Sequence, residues 1–360
     1  MSRPRVIIRP APPAPGVLPT YVEHGGEPVG RHPADALDIR LYGFVVKGDK
    51  DLLDEWCDRC FNEPSGGAEH WRAAGHHLLL NFVDIPRMGS TDPLDHRLGV
   101  TPEHEVALWL PVVDARRARL AWAIPYMWVD SGIAMAGGRE TYGFPKQLGH
   151  PDIPRRDTTP ARLSLDADTL ATYSRDSVVK RHRVVTVERA GRAKPLVAAW
   201  NDPAEAVRAL ARLLLSGDIA RPAEPTPEEL EERAGRVLRA PLEALDEALE
   251  GTAVALLLAR HILNRNVPML LLKQFRDAAF PGAACYQAIV EVGNQVTEFR
   301  RGGLLPDDYH VDFERLDGEP VERELGLALD QTPAVAVWLE FDFLVHLGAV
   351  LWEAGGARHG

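Results

Sequence analysis

A chain of 360 residues with 45% hydrophobic and 26% charged residues has the balance of a folded globular protein, which excludes a largely disordered chain. The formal net charge of −11 argues against a nucleic-acid partner, and three cysteines are too few for a disulfide framework. No stretch is apolar for long enough to span a bilayer, and the proline-rich start lacks the apolar core of a secretory signal, so the default expectation is a cytoplasmic protein with no membrane association.

Residues 1–35 are rich in proline and glycine and read as an extended arm. Ile39 to Val46 reads as a strand, and Asp49 to Phe61 as an amphipathic helix with apolar residues at 52, 53, 56, 57, 60 and 61. That helix carries a C-x-x-C, Cys57 and Cys60, with both thiols on its buried face. Zinc would need two further ligands, and His70, His76 and His77 have no recognised spacing, so no metal is expected. His77 to Val83 reads as a buried strand, and Glu105 to Val113 and Ala118 to Val129 as two more.

The stretch Gly137 to Gly149 reads as a rigid loop, because its glycines permit tight backbone approach and Pro145 pushes Phe144 out of helical space. Arg139 and Glu140 are read as an ion pair bracing it. Short antiparallel strands follow at Ala161 to Leu165, Thr169 to Tyr173 and Val178 to Val187, where the basic run Lys180 to Arg183 reads as a solvated strand face. The texture then turns helical at Pro203 to Leu215 and Pro227 to Leu263, with a capping-box pattern at Thr226 and Glu229. Strands resume at Met269 to Gln274, Tyr286 to Val296, His310 to Arg315 and Val335 to Phe343.

Lys146 is the residue with chemistry to offer. Flanked by Tyr142, Phe144, Pro145 and Leu148, its amine is a candidate for desolvation, which favours the neutral nucleophilic form able to make a Schiff base. The plainer reading is a lysine snorkelling over an aromatic patch. Other chemistries find no support: the glycines at 138 and 143 lack the Lys-Ser/Thr of a phosphate loop, Ser131 has no G-x-S-x-G context, and His104 should point away from its neighbour Glu105 on a strand.

The run Ile133 to Glu140, followed by Tyr142-Gly143-Phe144-Pro145-Lys146 and Leu148-Gly149, resembles the signature of the acetoacetate decarboxylase family. The resemblance implies that Lys146 is the Schiff-base residue, that Glu105 moves protons, and that Arg40, on an early strand, orients Glu105 or a substrate carboxylate. It places the family's second active-site acid at Asn81, and Tyr142, Phe144, Asn81 and Met127 around the substrate. Where the family has a second lysine after the first, this chain has Gln147, so activation falls to desolvation. The likeness covers residues 36–200 and 265–360, with 201–264 as a helical insertion.

The fold implied is α+β: a strongly curved antiparallel sheet, a cone or partial barrel, with outer helices. The function implied is a cofactor-independent Schiff-base lyase that decarboxylates a keto acid or related small carbonyl compound through an imine on Lys146, in a homo-oligomer. Two alternatives stand beside it: an aldolase or dehydratase working through the same imine, and a non-catalytic small-molecule binding protein of the same fold.

Overall fold

The computed structural model describes residues 21–22, 30–114, 116–117, 119–155, 157–196, 198–206, 209 and 261–354. Fifteen strands run through them: β1 Ala34–Lys47, β2 Arg72–Ala73, β3 His77–Ser90, β4 Thr101–Asp114, β5 Arg119–Val129, β6 Lys146–Leu148, β7 His150–Asp152, β8 Arg162–Thr169, β9 Lys180–Arg189, β10 Val267–Arg276, β11 Ala284–Leu304, β12 Tyr309–Phe313, β13 Asp330–Gln331, β14 Ala336–Val345 and β15 Ala349–Glu353. The helices used below are α1 Lys50–Cys57, α2 Gly132–Thr141 and α3 Val321–Leu325.

The larger sheet runs β2-β4-β3-β1-β14-β11-β10-β5-β6, and an added pairing of β4 with β5 closes it into a ring. Most neighbours are antiparallel. The parallel exceptions are β6 on β5 and the contact of β10 with β5, which is made by Met269 opposite Trp122 and Leu270 opposite Ala123. The second sheet, β13-β12-β9-β8-β7, packs on the outside. This is the α+β arrangement with a strongly curved, mainly antiparallel sheet that the sequence implies.

Alternation along the strands sends one set of side chains into the ring and the other outward. Leu41, Leu79, Val83, Ala107, Trp109, Met127, Met269 and Phe341 belong to the inner core. Phe44, Leu80, Leu108 and Trp128 point the other way and join α1 and the inner face of the second sheet in a second core. Within β5 the register slips between its Tyr126 and Ala123 pairings with β4, at Pro125, so Met127 and Val129 face inward on one side of the bulge and Trp122 and Ile124 on the other.

Several elements differ from the sequence reading. Gly137 to Thr141 is not loop but the end of α2, capped at Ser131, whose hydroxyl accepts from the Ala134 amide at 3.3 Å. The helix beginning after Asp49 ends at Cys57 and passes into a π turn over Asp58–Asn62. Cys57 is buried there and Cys60 half-buried. Thr169 to Tyr173 is not a separate strand; one strand, β8, spans the region and ends at Thr169. β11 runs on to Leu304. Of the helical block, only 203–206, 209 and 261–263 fall among the described residues; Thr226, Glu229 and the leucines between 210 and 260 lie outside them. Among the described residues no helix is long and apolar enough to cross a membrane, and no cluster of histidine, cysteine and carboxylate side chains could hold a metal ion.

Candidate active site

Lys146 opens β6, whose parallel pairing with β5 sets it beside Met127 on the inner face. The chain arrives there from α2 through a turn, with the amides of Tyr142 and Phe144 each 3.2 Å from the Gly138 carbonyl. Gly143 has φ +86°, and a Cβ on it would lie 2.5 Å from the Cα of Lys273, so both conformation and space demand glycine. Gly138 is demanded by the lysine itself: a Cβ there would sit 2.8 Å from Lys146 Cδ. Arg139 ties the helix to the strand by donating to the Lys146 carbonyl at 2.9 Å, while Glu140 accepts from the Tyr21 hydroxyl. The two do not brace the loop by pairing with each other.

The Lys146 amine is buried, with 6% of the residue exposed, and lies 2.5 Å from Oε1 of Glu103, itself 2% exposed. The face of Phe144 is 5.8 Å away. Glu105, two residues along β4 and therefore on the same face, has its carboxyl pushed up to about 8 by burial; Lys146 opposes that rise and Glu103 adds to it. Two adjacent carboxyl groups thus differ in what they can do. Glu103 holds the lysine nitrogen, whereas Glu105 keeps its proton at neutral pH.

His32 completes this end of the site, edge-on to Tyr142 at 4.7 Å between ring centroids. Burial and the charge of Lys146 pull its imidazole down to about 4, so it is neutral at physiological pH. Tyr142 donates its hydroxyl to the His346 carbonyl at 2.7 Å, and burial holds that phenol well above its ordinary range. These groups open on a cavity of about 410 Å³ inside the ring, walled by Leu41, Val83, Trp109, Ile124, Met127, Met269, Val296 and Phe341, with Ser90, Asp95, Leu98 and Val100 along one side.

Residues 82–192, which include Glu103, Glu105 and Lys146, match the family model for acetoacetate decarboxylase (ADC). Over nearly its whole length the chain also superposes on the acetoacetate decarboxylase of Legionella pneumophila subsp. pneumophila str. Philadelphia 1, with TM-score 0.52 and 14% identity, covering 96% of this chain and 94% of that one. This is an acetoacetate decarboxylase-like fold. An acetoacetate decarboxylase-like enzyme from Sphingomonas wittichii RW1 aligns with TM-score 0.49 and 10% identity over 90% of this chain and 94% of its own. The enduracididine biosynthesis enzyme MppR complexed with pyruvate aligns with TM-score 0.47 and 15% identity over 89% and 91%. No curated protein matches the sequence.

Within the acetoacetate decarboxylase-like fold, the ring brings together five of the expected site residues: Lys146, Glu105, Tyr142, Phe144 and Met127 all line the cavity. Arg40 does not join them. It projects from the outer face of β1 and pairs with Glu340, whose carboxylate also accepts from Arg301 at 2.6 Å, so it orients neither Glu105 nor anything in the cavity. Asn81 is wholly buried in β3, between Gly43 and Ala107, and is not part of the cavity wall. Gln147, next to the lysine, points the other way and donates to Glu319 at 2.8 Å. Strand alternation therefore carries the side chain at 147 out of the site, whatever its charge.

Two residues of the candidate site escape the sequence reading. Glu103 lies before the strand as read from Glu105, yet β4 begins at Thr101. The signal was present, since two glutamates spaced by two on a strand share a face. His32 sits in the stretch read as an extended arm, and no local pattern marks it.

Proposed function

We propose that this protein is a cofactor-independent Schiff-base lyase that decarboxylates a keto acid on Lys146. The observation that carries the reading is the buried contact of the Lys146 amine with Glu103, 2.5 Å long, beside a second carboxyl that burial keeps protonated. Glu103 accepts a proton from the lysine, and the freed amine attacks the substrate ketone, forming a C–N bond as the carbonyl π electrons move to oxygen. Glu105, protonated and lining the same cavity, gives its proton to the carbinolamine oxygen, and loss of water leaves an iminium. The bond to the carboxylate then breaks; its electron pair moves through the α-carbon into the iminium, carbon dioxide leaves and an enamine forms. Protonation at the α-carbon and hydrolysis release the ketone and restore the lysine. Apolar walls strengthen each of these electrostatic steps by excluding water.

The test is borohydride reduction in the presence of keto acids, with peptide mass analysis and measurement of released carbon dioxide. The expected result is a reduced adduct at Lys146 together with gas release. An adduct without carbon dioxide would move the reaction to an aldol or dehydration through the same iminium. No adduct across a broad panel of keto acids, in folded protein, would overturn the Schiff-base reading.

A further inference from the structure

Along the inner face of β4 the cavity wall changes from polar to apolar. Lys146, Glu103 and Glu105 form one group, and beyond Glu105 the inner face of β4 continues with Ala107 and Trp109. Four residues of strand from Glu105 to Trp109 cover roughly 13 Å. Ile124 and Met269 wall that stretch with Trp109, and all three are buried. The cavity's volume of about 410 Å³ falls in the range of sites that take ligands much larger than a short keto acid.

Charge makes the same division. Among the described residues that line the cavity, Lys146 is the one lysine or arginine, and Glu103 already meets it. A second carboxylate or a phosphate on the substrate would lose its hydration at the apolar end and find no cation there. We infer that the substrate is a carbonyl compound with a long uncharged tail, alkyl or arylalkyl, that lies in the ring between Lys146 and Trp109. With C–C bonds of about 1.5 Å, an extended chain filling that span has on the order of eight to ten carbons. The inference rests on the Schiff-base reading for the position of the carbonyl, but the tail-binding passage stands on the wall alone.

The experiment uses the full chain and a series of straight-chain β-keto acids and of methyl ketones. With the acids, kcat/KM should rise about fourfold for each added methylene until the chain reaches Trp109, then level off. Trp109→Ala should move the plateau to longer chains and Ile124→Phe to shorter ones, with circular dichroism establishing that each variant folds. A kcat/KM that is flat or falls from the shortest acid onward overturns the inference. Calorimetric binding of the methyl ketones to Lys146→Met separates the two readings. If wild type traps no keto acid while affinity for the ketones climbs with length, the Schiff-base reading fails and the tail passage stands. If wild type traps short and long acids alike and ketone affinity is flat, the tail passage fails and the Schiff base stands.

Discussion

Replacing Glu105 with glutamine tests the proton that burial keeps on this carboxyl. Its ordinary value of 4.5 is pushed up to about 8, chiefly by desolvation. Below pH 4.5 the carboxyl is protonated in both folded and unfolded chains and contributes nothing to the pH dependence of stability. Between 4.5 and about 8 the unfolded chain has released the proton and the folded chain has kept it, so folding takes up a proton and stability declines as pH rises. At about 1.4 kcal/mol per pH unit, the interval amounts to about 5 kcal/mol. Above it, both states are ionised and the loss is constant. Glutamine has the shape of the protonated acid and does not titrate, so the stability of Glu105→Gln relative to wild type should grow across this window and then level off. Urea denaturation of both proteins from about pH 5 to about pH 9 measures that difference. The same change should cut kcat by about 10²- to 10⁴-fold through loss of the acid, and wild-type turnover should fall as pH rises through about 8. A stability difference that stays constant with pH, or moves toward wild type as pH rises, would refute the reasoning.

Gly138→Ala replaces a poor helix former by the best, worth about 1 kcal/mol, yet puts a methyl 2.8 Å from Lys146 Cδ. Thermal melts should show a folded protein, and imine trapping should drop on the order of a hundredfold as the amine is displaced. In Gln147→Lys the new ammonium should pair with Glu319 outside the cavity, so the pH profile of Lys146 trapping should match wild type; a shifted profile would mean that the side chain at 147 reaches the site. Arg40→Gln should lower stability by about 3 kcal/mol, because it strips one partner from buried Glu340, while kcat/KM of the remaining folded enzyme is unchanged.

The parts of the site that lay in local sequence were the legible ones. Pro145 and the glycines of the α2 to β6 turn carried the family resemblance that singled out Lys146, and the same resemblance pointed to Glu105 on its apolar strand. Helix α2 was hidden by the low helix propensity of Gly137 and Gly138, of which Gly138 is required by the close approach of the Lys146 stem. Arg40 could be placed on a strand but not on a face, since the bulge between Ala36 and Ile39 alters the alternation of β1. Closure of the ring depends on β5, which pairs locally with β4, also meeting β10 across a long separation in sequence, which no local periodicity encodes. His32 is the same case in miniature: its role is created by its proximity to Tyr142, more than a hundred residues later.

The bulge at Pro125 gives β5 two reading frames. On the β6 side, odd-numbered positions face the chemistry and even-numbered ones the outer core; beyond the proline the parity is exchanged, with Trp122 and Ile124 inward and Ala121 and Ala123 outward. A scan of polar substitutions along this strand should therefore show a phase slip, with catalytic phenotypes at odd numbers giving way to even ones across a single residue. A deletion of Pro125 would bring the two halves into one frame. Trp122, Ile124, Met127 and Val129 would then alternate regularly with Ala121, Ala123, Tyr126 and Trp128 and all stay inward, so the deletion should abolish the phase slip while leaving the same side chains facing the ring.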